Sequence, residues 1–402
     1  MNRRECLGLL GGAAYLTKTA FASDAERASL FSIPKGTTYL NGARIHPLSK
    51  KSVQSIQAYL ERRTLHPVAD LDYFDAMEDR AKRSFARLIN ADPSEISFVQ
   101  STQVGENLVV AGLELSRTSH NIVTEELHYR GSLYLYGELA KKGFDVRFVR
   151  PRENRIMLED LAASIDSHTK LVAISLVSYR NGFQHDLKAV CDLAHSKGAL
   201  VYADIVQAVG AVPLDVRSSG VDFCACSAYK WLMGDKGLGF LYVRSGLLDT
   251  RLKKTQFGGD QLDEFQDHLY STGPSKGMPP TWTARADAGG HFEVGSAADL
   301  VVASMNDPLD FLNSTGVSAI QNARRPLMQK LMQEMPRLGY PCLTPTPETP
   351  IAAFGVQNFR PVAAKLQAQN ITVSFIENTI RVSPSIYNSE EDIDRLLTAL
   401  QS

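Results

Sequence analysis

The chain has 402 residues, of which 44% are hydrophobic and 22% charged, and its formal net charge at pH 7 is −1. These proportions are those of a soluble globular protein with enough sequence for about two domains and a large core. A charge so close to zero excludes a strong field that would attract nucleic acid or an anionic membrane. We therefore expect no nucleic-acid partner.

The first element, residues 1–22, has the features of a targeting segment. Arg3 and Arg4 precede a short apolar stretch, and Ala20-Phe-Ala22 is a small-residue cleavage signal. Paired arginines here resemble the twin-arginine signal for export of folded proteins. The stretch is shorter than the ~20 apolar residues of a membrane span. We predict an exported, periplasmic or secreted protein without a membrane span; the alternative is a plain N-terminal extension on a cytoplasmic protein.

From about residue 70 to residue 243, short apolar runs alternate with helical patterns. The predicted helices include residues 131–142 and residues 187–197, the second of which ends at Gly198. The candidate strands are residues 96–99, 121–124, 145–149, 171–177, 199–203, 223–226 and 239–243. Such alternation predicts an α/β fold with a mostly parallel sheet that is covered by helices on both faces.

The pattern changes in the C-terminal part of the chain. Residues 258–295 are rich in Gly, Pro, Asp, Gln and Ser, which predicts long irregular connections. A helical pattern then continues to residue 312, and residues 319–400 alternate strand and helix on a smaller scale. We predict an N-terminal segment (23–50) that packs with the small domain, a large domain (51–295) and a small C-terminal α+β domain (296–402).

Two residues near the ends of neighbouring predicted strands indicate the chemistry. Asp204 closes the run 199–204, and Lys230 follows the run 223–226. Pyridoxal 5'-phosphate enzymes need a lysine that forms a Schiff base with the cofactor and a carboxylate that keeps the pyridine nitrogen protonated. The pair predicts this cofactor, with Lys230 also acting as the base for the α-proton of a substrate.

The cysteines do not indicate a metal site. Cys224 and Cys226 lie on one face of a predicted core strand, and no further Cys or His follows at the spacing of metal ligands. We expect no metal and no disulfide.

Six motifs in the family's order resemble the class V aminotransferase family of fold-type I pyridoxal-phosphate enzymes. They are residues 98–107, 126–129, 177–182, 202–210 with 227–230, 292–296 and 379–388. The similarity begins near Tyr39 and covers nearly all of the remaining chain. It implies a large domain with a seven-stranded sheet, a smaller C-terminal α+β domain, and an enzyme that acts on an amino acid.

The resemblance also implies which residues bind the cofactor. His128 would stack on the pyridine ring, with Tyr129 as the alternative. In the phosphate-binding motif, this chain has Ser101 and Gln103 at positions where relatives usually have other residues. The implied phosphate contacts are Ser101, Thr102, Gln103, Ser227, Tyr229 and, from the partner subunit of a homodimer with shared active sites, Ser296. The implied contacts to the ring and aldehyde are Asp204, Gln207 and Lys230.

Substrate contacts follow from the same resemblance. Arg381 would bind the α-carboxylate of an amino acid through two parallel hydrogen bonds, which lysine cannot reproduce. Tyr179 or Asn181 would contact the substrate or the cofactor, or else belong to a turn that ends at Gly182. Arg44 and residues 258–290 would add selectivity for the substrate side chain.

The reaction stays open at this point. Cysteine desulfurases carry a nucleophilic cysteine shortly before the carboxylate-binding arginine, and residues 371–381 contain none. The chain is therefore more similar to the isopenicillin-N-epimerase-like and C–S-lyase-like branch, so that transamination, epimerisation and C–S or β-elimination are alternatives. A second hypothesis is a degenerate family member that binds cofactor or a partner without strong catalysis, which the departures at Gln103 and Tyr179 favour.

Overall fold

The computed structural model describes residues 24–66 and 71–401. The predicted targeting segment lies outside the described residues. The helices are α1 (Asp24–Ser29), α2 (Lys50–Leu65), α3 (Leu71–Ile89), α4 (Thr102–Gly112), α5 (Arg130–Lys141), α6 (Leu158–Ser164), α7 (Leu187–His195), α8 (Val216–Ser219), α9 (Ala288–Phe292), α10 (Asp299–Ala303), α11 (Asn306–Thr315), α12 (Val317–Arg337), α13 (Phe359–Ala368) and α14 (Glu390–Gln401). The strands are β1 (Thr38–Tyr39), β2 (Ile96–Val99), β3 (Asn121–Glu125), β4 (Asp145–Val149), β5 (Thr169–Ser175), β6 (Leu200–Asp204), β7 (Phe223–Ser227), β8 (Gly239–Val243), β9 (Leu262–Gln266), β10 (Thr281–Ala284), β11 (Ala352–Gly355), β12 (Ile371–Thr372), β13 (Ser374–Ile376) and β14 (Thr379–Val382).

A seven-stranded sheet forms the centre of the large domain. Its strand order is β2-β8-β7-β6-β5-β3-β4. Strand β8 runs antiparallel to both of its neighbours, and the other pairings are parallel. Strands β6 and β7 are buried along their whole length, as expected for central strands covered on both faces. The predicted mostly parallel, seven-stranded sheet is confirmed.

Local sequence signals fix the helices that cover this sheet. The side chains of Ser101 and Asp186 cap α4 and α7 by accepting hydrogen bonds from backbone N–H groups three residues later. After α7 the chain turns at Gly198, whose φ of +80° favours glycine. On the face formed by α3, Phe85 stacks on Phe240 of β8 with ring centroids 4.1 Å apart. Such buried aromatic contacts hold the helices against the sheet.

The small domain contains a second sheet and its own core. Strands β11, β14 and β13 form an antiparallel sheet, with β14 in the centre. The N-terminal segment joins this domain, because β1 pairs with β12 and Leu40 lies in the small-domain core. Helices α10 and α11, which follow the predicted boundary at residue 296, pack against α2 and α3. The domain boundaries themselves stay a prediction.

The stretch predicted to be irregular contains a β-hairpin. Strands β9 and β10 pair with each other, and Trp282 lies opposite Phe265. The prediction is wrong here because the glycines of this stretch lie outside the two strands, at positions 258, 259, 273, 277, 289, 290 and 295. The side chains of Phe265 and Trp282 are 58% and 64% exposed, respectively, so the hairpin presents an aromatic surface to its surroundings.

No helix within the described ranges is long and apolar enough to cross a bilayer. The same residues contain no group of three or more His, Cys, Asp or Glu side chains placed to hold a metal ion. The four described cysteines are free thiols.

Candidate active site

The site lies along one edge of the large sheet. Strands β2, β3, β5, β6 and β7 run in the same direction, so their carboxyl ends share that edge. This edge is where open α/β sheets bind ligands. The predicted residues from Ser101 to Lys230 lie at the ends of these strands or in the loops that follow them. The topology thereby brings together residues that are far apart in sequence.

Lys230 and Asp204 are both buried in this region. Lys230 is 7% exposed, and burial lowers the pKa of its amine to about 8, with Asp204 opposing the shift and Arg381 adding to it. Burial raises the pKa of Asp204 to about 6, although the charges of His128 and Lys230 lower it. Asp204 Oδ1 accepts a hydrogen bond from the Val206 N–H at 2.9 Å. A buried amine with a lowered pKa supplies more of the neutral nucleophile than an ordinary lysine does.

The predicted phosphate-binding residues meet at the N-terminus of α4. The Thr102 N–H donates to Ser227 Oγ at 3.0 Å, and the two hydroxyl oxygens are 3.1 Å apart. Ser101 caps the helix, and Tyr229 follows in the loop that carries Lys230. The first N–H groups of an 11-residue helix, with two hydroxyls beside them, form a site suited to a phosphate.

Two predicted cofactor contacts have other partners in this structure. The Gln103 amide donates to Glu106 Oε2 at 2.7 Å and to Ser132 Oγ at 3.0 Å. The Gln207 amide donates to the Ala43 carbonyl at 3.0 Å and accepts from the Trp231 indole at 2.9 Å. Gln103 therefore offers its backbone rather than its side chain to a phosphate. Gln207 ties the N-terminal segment to the loop of Lys230, and its contact to the cofactor stays a prediction.

His128 is fully buried and is hydrogen-bonded through Nδ1, whereas Nε2 has no hydrogen-bond partner among the described residues. Its Nδ1 accepts from the Tyr129 N–H at 2.8 Å and lies 2.9 Å from Ser175 Oγ, while Nε2 lies 3.3 Å from Glu106 Oε1. Burial lowers the pKa of His128, but the carboxylates led by Glu106 outweigh it, so the pKa is raised overall. The Tyr129 N–H at Nδ1 directs the proton of the neutral ring to Nε2, toward Glu106.

Glu106 is a residue that motif reading missed. It lies on the buried face of α4, where a charged side chain needs partners, and it accepts from Ser132 Oγ at 2.6 Å. A glutamate on the apolar face of a predicted helix is the signal that could have identified it.

Replacing Glu106 with glutamine is expected to lower the pKa of His128, because the nearest carboxylate charge is removed while the side-chain size is kept. The imidazole nitrogen shifts of the cofactor-free protein, followed by NMR through a pH titration, measure this change. Glu391→Gln, at an exposed position on α14, is the matched control. An unchanged His128 titration in the Glu106 variant would contradict the assignment.

Arg381 lies on β14 and reaches the site from the small domain. Its Nη1 donates to the Tyr179 carbonyl at 2.9 Å and its Nη2 to Ser374 Oγ at 3.3 Å. Its Nε is buried and has no hydrogen-bond partner. Burial lowers the pKa of Arg381 to about 10, which leaves the guanidinium charged at neutral pH. Among the residues described, no carboxylate lies within ion-pair distance of this charge.

The two candidate substrate residues of the 177–182 turn differ in their surroundings. Asn181 donates to the Asn154 carbonyl at 2.8 Å and accepts from the Phe183 N–H at 3.0 Å, which shapes the turn. Tyr179 is half-buried, and its ring packs edge-on against that of Tyr129 at 5.3 Å. The structure therefore brings Tyr179 beside Arg381 and gives Asn181 a role within the turn. Their substrate contacts stay predictions.

Ser296 lies apart from these residues, on the surface of the chain. It is exposed and borders a cavity of about 1070 Å³ that is also lined by Gln100 and Val104, the neighbours of the phosphate-binding residues. Its contact with a phosphate stays a prediction.

The side chains of the site can be compared with the chemical groups of the predicted cofactor and of an amino-acid substrate. A cationic guanidinium with an unpartnered Nε fits a carboxylate, the paired hydroxyls at the α4 N-terminus fit a phosphate, and the buried Asp204 fits a protonated ring nitrogen. The residues present therefore fit pyridoxal phosphate together with an amino acid.

Known proteins are similar to this chain in sequence. The family model described as Aminotransferase class-V matches residues 50–396. The uncharacterized aminotransferase YcbU of Bacillus subtilis (strain 168) is 26% identical over 315 residues, which are 78% of this chain and 80% of that one. The cysteine desulfurase IscS of Shewanella sediminis (strain HAW-EB3) is 35% identical over 203 residues, half of each chain.

Solved structures share the fold at lower identity. The cystine C–S lyase C-DES, in complex with its reaction product cysteine persulfide, superimposes with a TM-score of 0.80 at 22% identity, covering 91% of this chain and 97% of that one. The cysteine desulfurase CsdA of Escherichia coli gives a TM-score of 0.80 at 21% identity, covering 94% and 97%. At this identity the likeness shows the fold alone.

Proposed function

This chain belongs to the class V aminotransferase family of pyridoxal-phosphate-dependent enzymes, and we propose that it removes the α-proton of an amino acid bound through its carboxylate. The observation that carries the proposal is the buried, cationic Arg381, which has no carboxylate partner among the described residues and whose charge lowers the pKa of Lys230. Transamination, epimerisation and C–S or β-elimination share this first step.

Arg381, Lys230 and Asp204 have different roles in the proposed reaction. Bound pyridoxal phosphate supplies an aldehyde that reacts with amines and a ring that accepts electron density. Arg381 binds the α-carboxylate and orients the substrate, and Lys230 Nζ takes the proton from Cα. Asp204 would help to hold the cofactor and would favour the protonated form of its ring nitrogen. Buried positions for all three exclude water and strengthen their electrostatic contacts.

Desulfuration through a loop cysteine does not fit the chain. Strands β13 and β14 are joined only by Glu377 and Asn378, so the turn before Arg381 carries no cysteine. Cys342 pairs with Phe354 on the side of β11 away from β14, and burial raises the pKa of its thiol. A nucleophilic cysteine needs a lowered pKa. The proposal therefore favours the C–S-lyase-like or epimerase-like reactions over persulfide formation on the enzyme.

The function is tested by offering the purified enzyme amino acids and the amines that lack their carboxylates. We expect amino acids to change the absorbance of the bound cofactor. The products should then identify the reaction: ammonia and an oxoacid, or sulfide, for elimination, an aminated acceptor for transamination, and the epimer for epimerisation. Equal reaction of the decarboxylated amines would contradict a site built around an α-carboxylate.

We also propose that the enzyme is a homodimer with shared sites. Ser296 borders the same surface cavity as the neighbours of the phosphate-binding residues. In the proposed dimer, a two-fold axis at this cavity would place the Ser296 of each subunit near the other's phosphate. The hairpin β9–β10 supports this proposal, because an isolated two-stranded sheet with exposed aromatic residues needs a covering surface.

Replacing Phe265 with lysine or Trp282 with glutamate is expected to weaken dimerisation about 30-fold in each single variant, because a hot-spot aromatic residue contributes about 2 kcal/mol or more to an interface. Sedimentation equilibrium measures the dissociation constant. Tyr134→Lys, at an exposed position on α5, is the control and should leave the constant unchanged. A monomeric wild-type enzyme with full activity would contradict the shared site.

We further propose that residues 1–22 direct export of the folded enzyme. Fused to a reporter, the segment should carry it across the membrane, and replacing Arg3 and Arg4 with lysine should block this. Unchanged export of the double-lysine variant would indicate a general secretory signal.

A further inference from the structure

The substrate entrance, defined by Arg44, Tyr179, Arg180 and Arg381, holds more positive charge than one α-carboxylate needs. Tyr179 is its centre: its carbonyl accepts from Arg381, and the Arg180 guanidinium lies 5.6 Å from its ring centroid. The charged groups that act on the Tyr179 hydroxyl are Arg180, Arg130 and Glu377. Cations therefore outnumber acids in this region.

The turn that carries Arg44 is hydrogen-bonded to the chain just after Arg381, and the Arg44 side chain itself is exposed. The Gly42 N–H and the Ala43 N–H donate to the backbone carbonyl and the side-chain hydroxyl of Ser383, at 3.0 and 3.1 Å. Ser383 follows Arg381 by two positions on the chain. The Arg44 charge lowers the pKa of Arg381, so two guanidinium groups of like charge are held near each other. Such an arrangement is unfavourable until an anion binds between or beside them.

Arg180 follows Tyr179 in the turn after β5. Its Nε is buried and unpartnered, and the one carboxylate near it is Glu377 at 3.9 Å, whose side chain is 79% exposed. An exposed ion pair at this distance contributes little. The turn is rigid, because Gly182 has a φ of +74° and a Cβ there would come within 2.3 Å of the Ile351 carbonyl. Arg180 is thus presented with spare hydrogen-bonding capacity.

We propose that the enzyme selects amino acids that carry a second anionic group, with the α-carboxylate on Arg381 and the side-chain anion on Arg44 and Arg180. The chemical class comprises dicarboxylic amino acids, side-chain sulfinates, and disulfide-linked amino acids whose second half carries its own carboxylate. This inference rests on the proposed function, since it assigns the other end of the same substrate.

The experiment compares matched substrates on the holoenzyme. The pairs are aspartate with asparagine, glutamate with glutamine, and cystine with cysteine, with cysteine sulfinate as a further anion. We expect kcat/KM to be about 10-fold or more higher for the anionic member of at least one pair, as for a hydrogen bond to a charged group. The pair that shows the preference identifies the kind of anion. Equal values within every pair would overturn the proposal.

Binding without reaction gives a second readout. Calorimetric titration of the holoenzyme with succinate and glutarate should give dissociation constants about 10-fold lower than with propionate and butyrate. Arg44→Gln and Arg180→Gln should each reduce this ratio, whereas Arg87→Gln, at an exposed position on α3, should preserve it. If the two entrance variants instead weaken cofactor binding and keep the ratio, the arginines bind the phosphate and the proposal is overturned.

The outcome also separates this inference from the proposed function. Turnover of neutral and anionic amino acids at equal rates would reject the second anion site and keep the α-carboxylate site. Failure of every amino acid to react, together with turnover of amines without a carboxylate, would reject both.

Discussion

Replacement of Lys230 by alanine is expected to lower turnover by roughly 10³-fold or more, because it removes both the amine that binds the cofactor and the base at the α-carbon. The visible absorbance of cofactor bound to the lysine should disappear at the same time. Lys236→Ala, in the exposed part of the same loop, is the matched control and should retain both properties. Retention of absorbance and turnover by the Lys230 variant would reject the assignment.

The pKa of Lys230 adds a pH dependence to this prediction. Burial lowers that pKa to about 8, so the neutral amine increases as the pH rises through this value. Cofactor-free protein should therefore react with added pyridoxal phosphate about ten times faster per pH unit below 8 and reach a plateau above it. An increase that continues to pH 10 would indicate an ordinary, solvated lysine.

Replacement of Arg381 by alanine is expected to lower kcat/KM for amino acids by roughly 30- to 5,000-fold, which corresponds to the ~2–5 kcal/mol that a buried charge pair contributes to binding. Arg381→Lys should recover only part of the loss, since one ammonium group cannot replace two parallel donors. The difference in rate between an amino acid and its decarboxylated amine should shrink in both variants.

The structural role of Arg381 must be separated from its role in binding. Its hydrogen bond to the Tyr179 carbonyl joins the small domain to the large one, and its bond to Ser374 connects β14 to β13 within the small domain, so the alanine variant loses stability as well. Ser374→Ala removes one of these bonds and keeps the guanidinium, and serves as the control. If this control lowers kcat/KM as much as Arg381→Ala does, Arg381 acts through the packing of the small domain rather than through the substrate carboxylate.

Much of the fold followed from local patterns. The predicted strand 223–226 corresponds to β7, which ends at Ser227, and the predicted helix 187–197 corresponds to α7, which ends at His195. These predictions were confirmed because buried strands and capped helices have short-range signals of composition and period. The hairpin β9–β10 was missed because both strands are largely exposed and β9 carries two charged residues, so their composition resembles that of a loop.

The chemistry-bearing residues were identified in a similar way. Asp204 and Lys230 were recognised from their places after apolar runs, and the family match confirms a pyridoxal-phosphate-dependent enzyme. Glu106 was not recognised as part of the site, because its importance comes from His128 and Ser132, which belong to other elements. When the partners of a residue lie on distant segments, the residues that flank it in sequence give little information about its role.

The sequence by itself determined the sheet, the cofactor and the order of the site residues along the chain, because each of these depends on short motifs and on periodicity. The tertiary structure decided which side chains are engaged and which are free. Gln207 is bound by Ala43 and Trp231, whereas Arg381 keeps an unpartnered, buried Nε. Counter-charges and hydrogen-bond partners come from segments far away in the chain, so only the folded arrangement shows where a charge still lacks one.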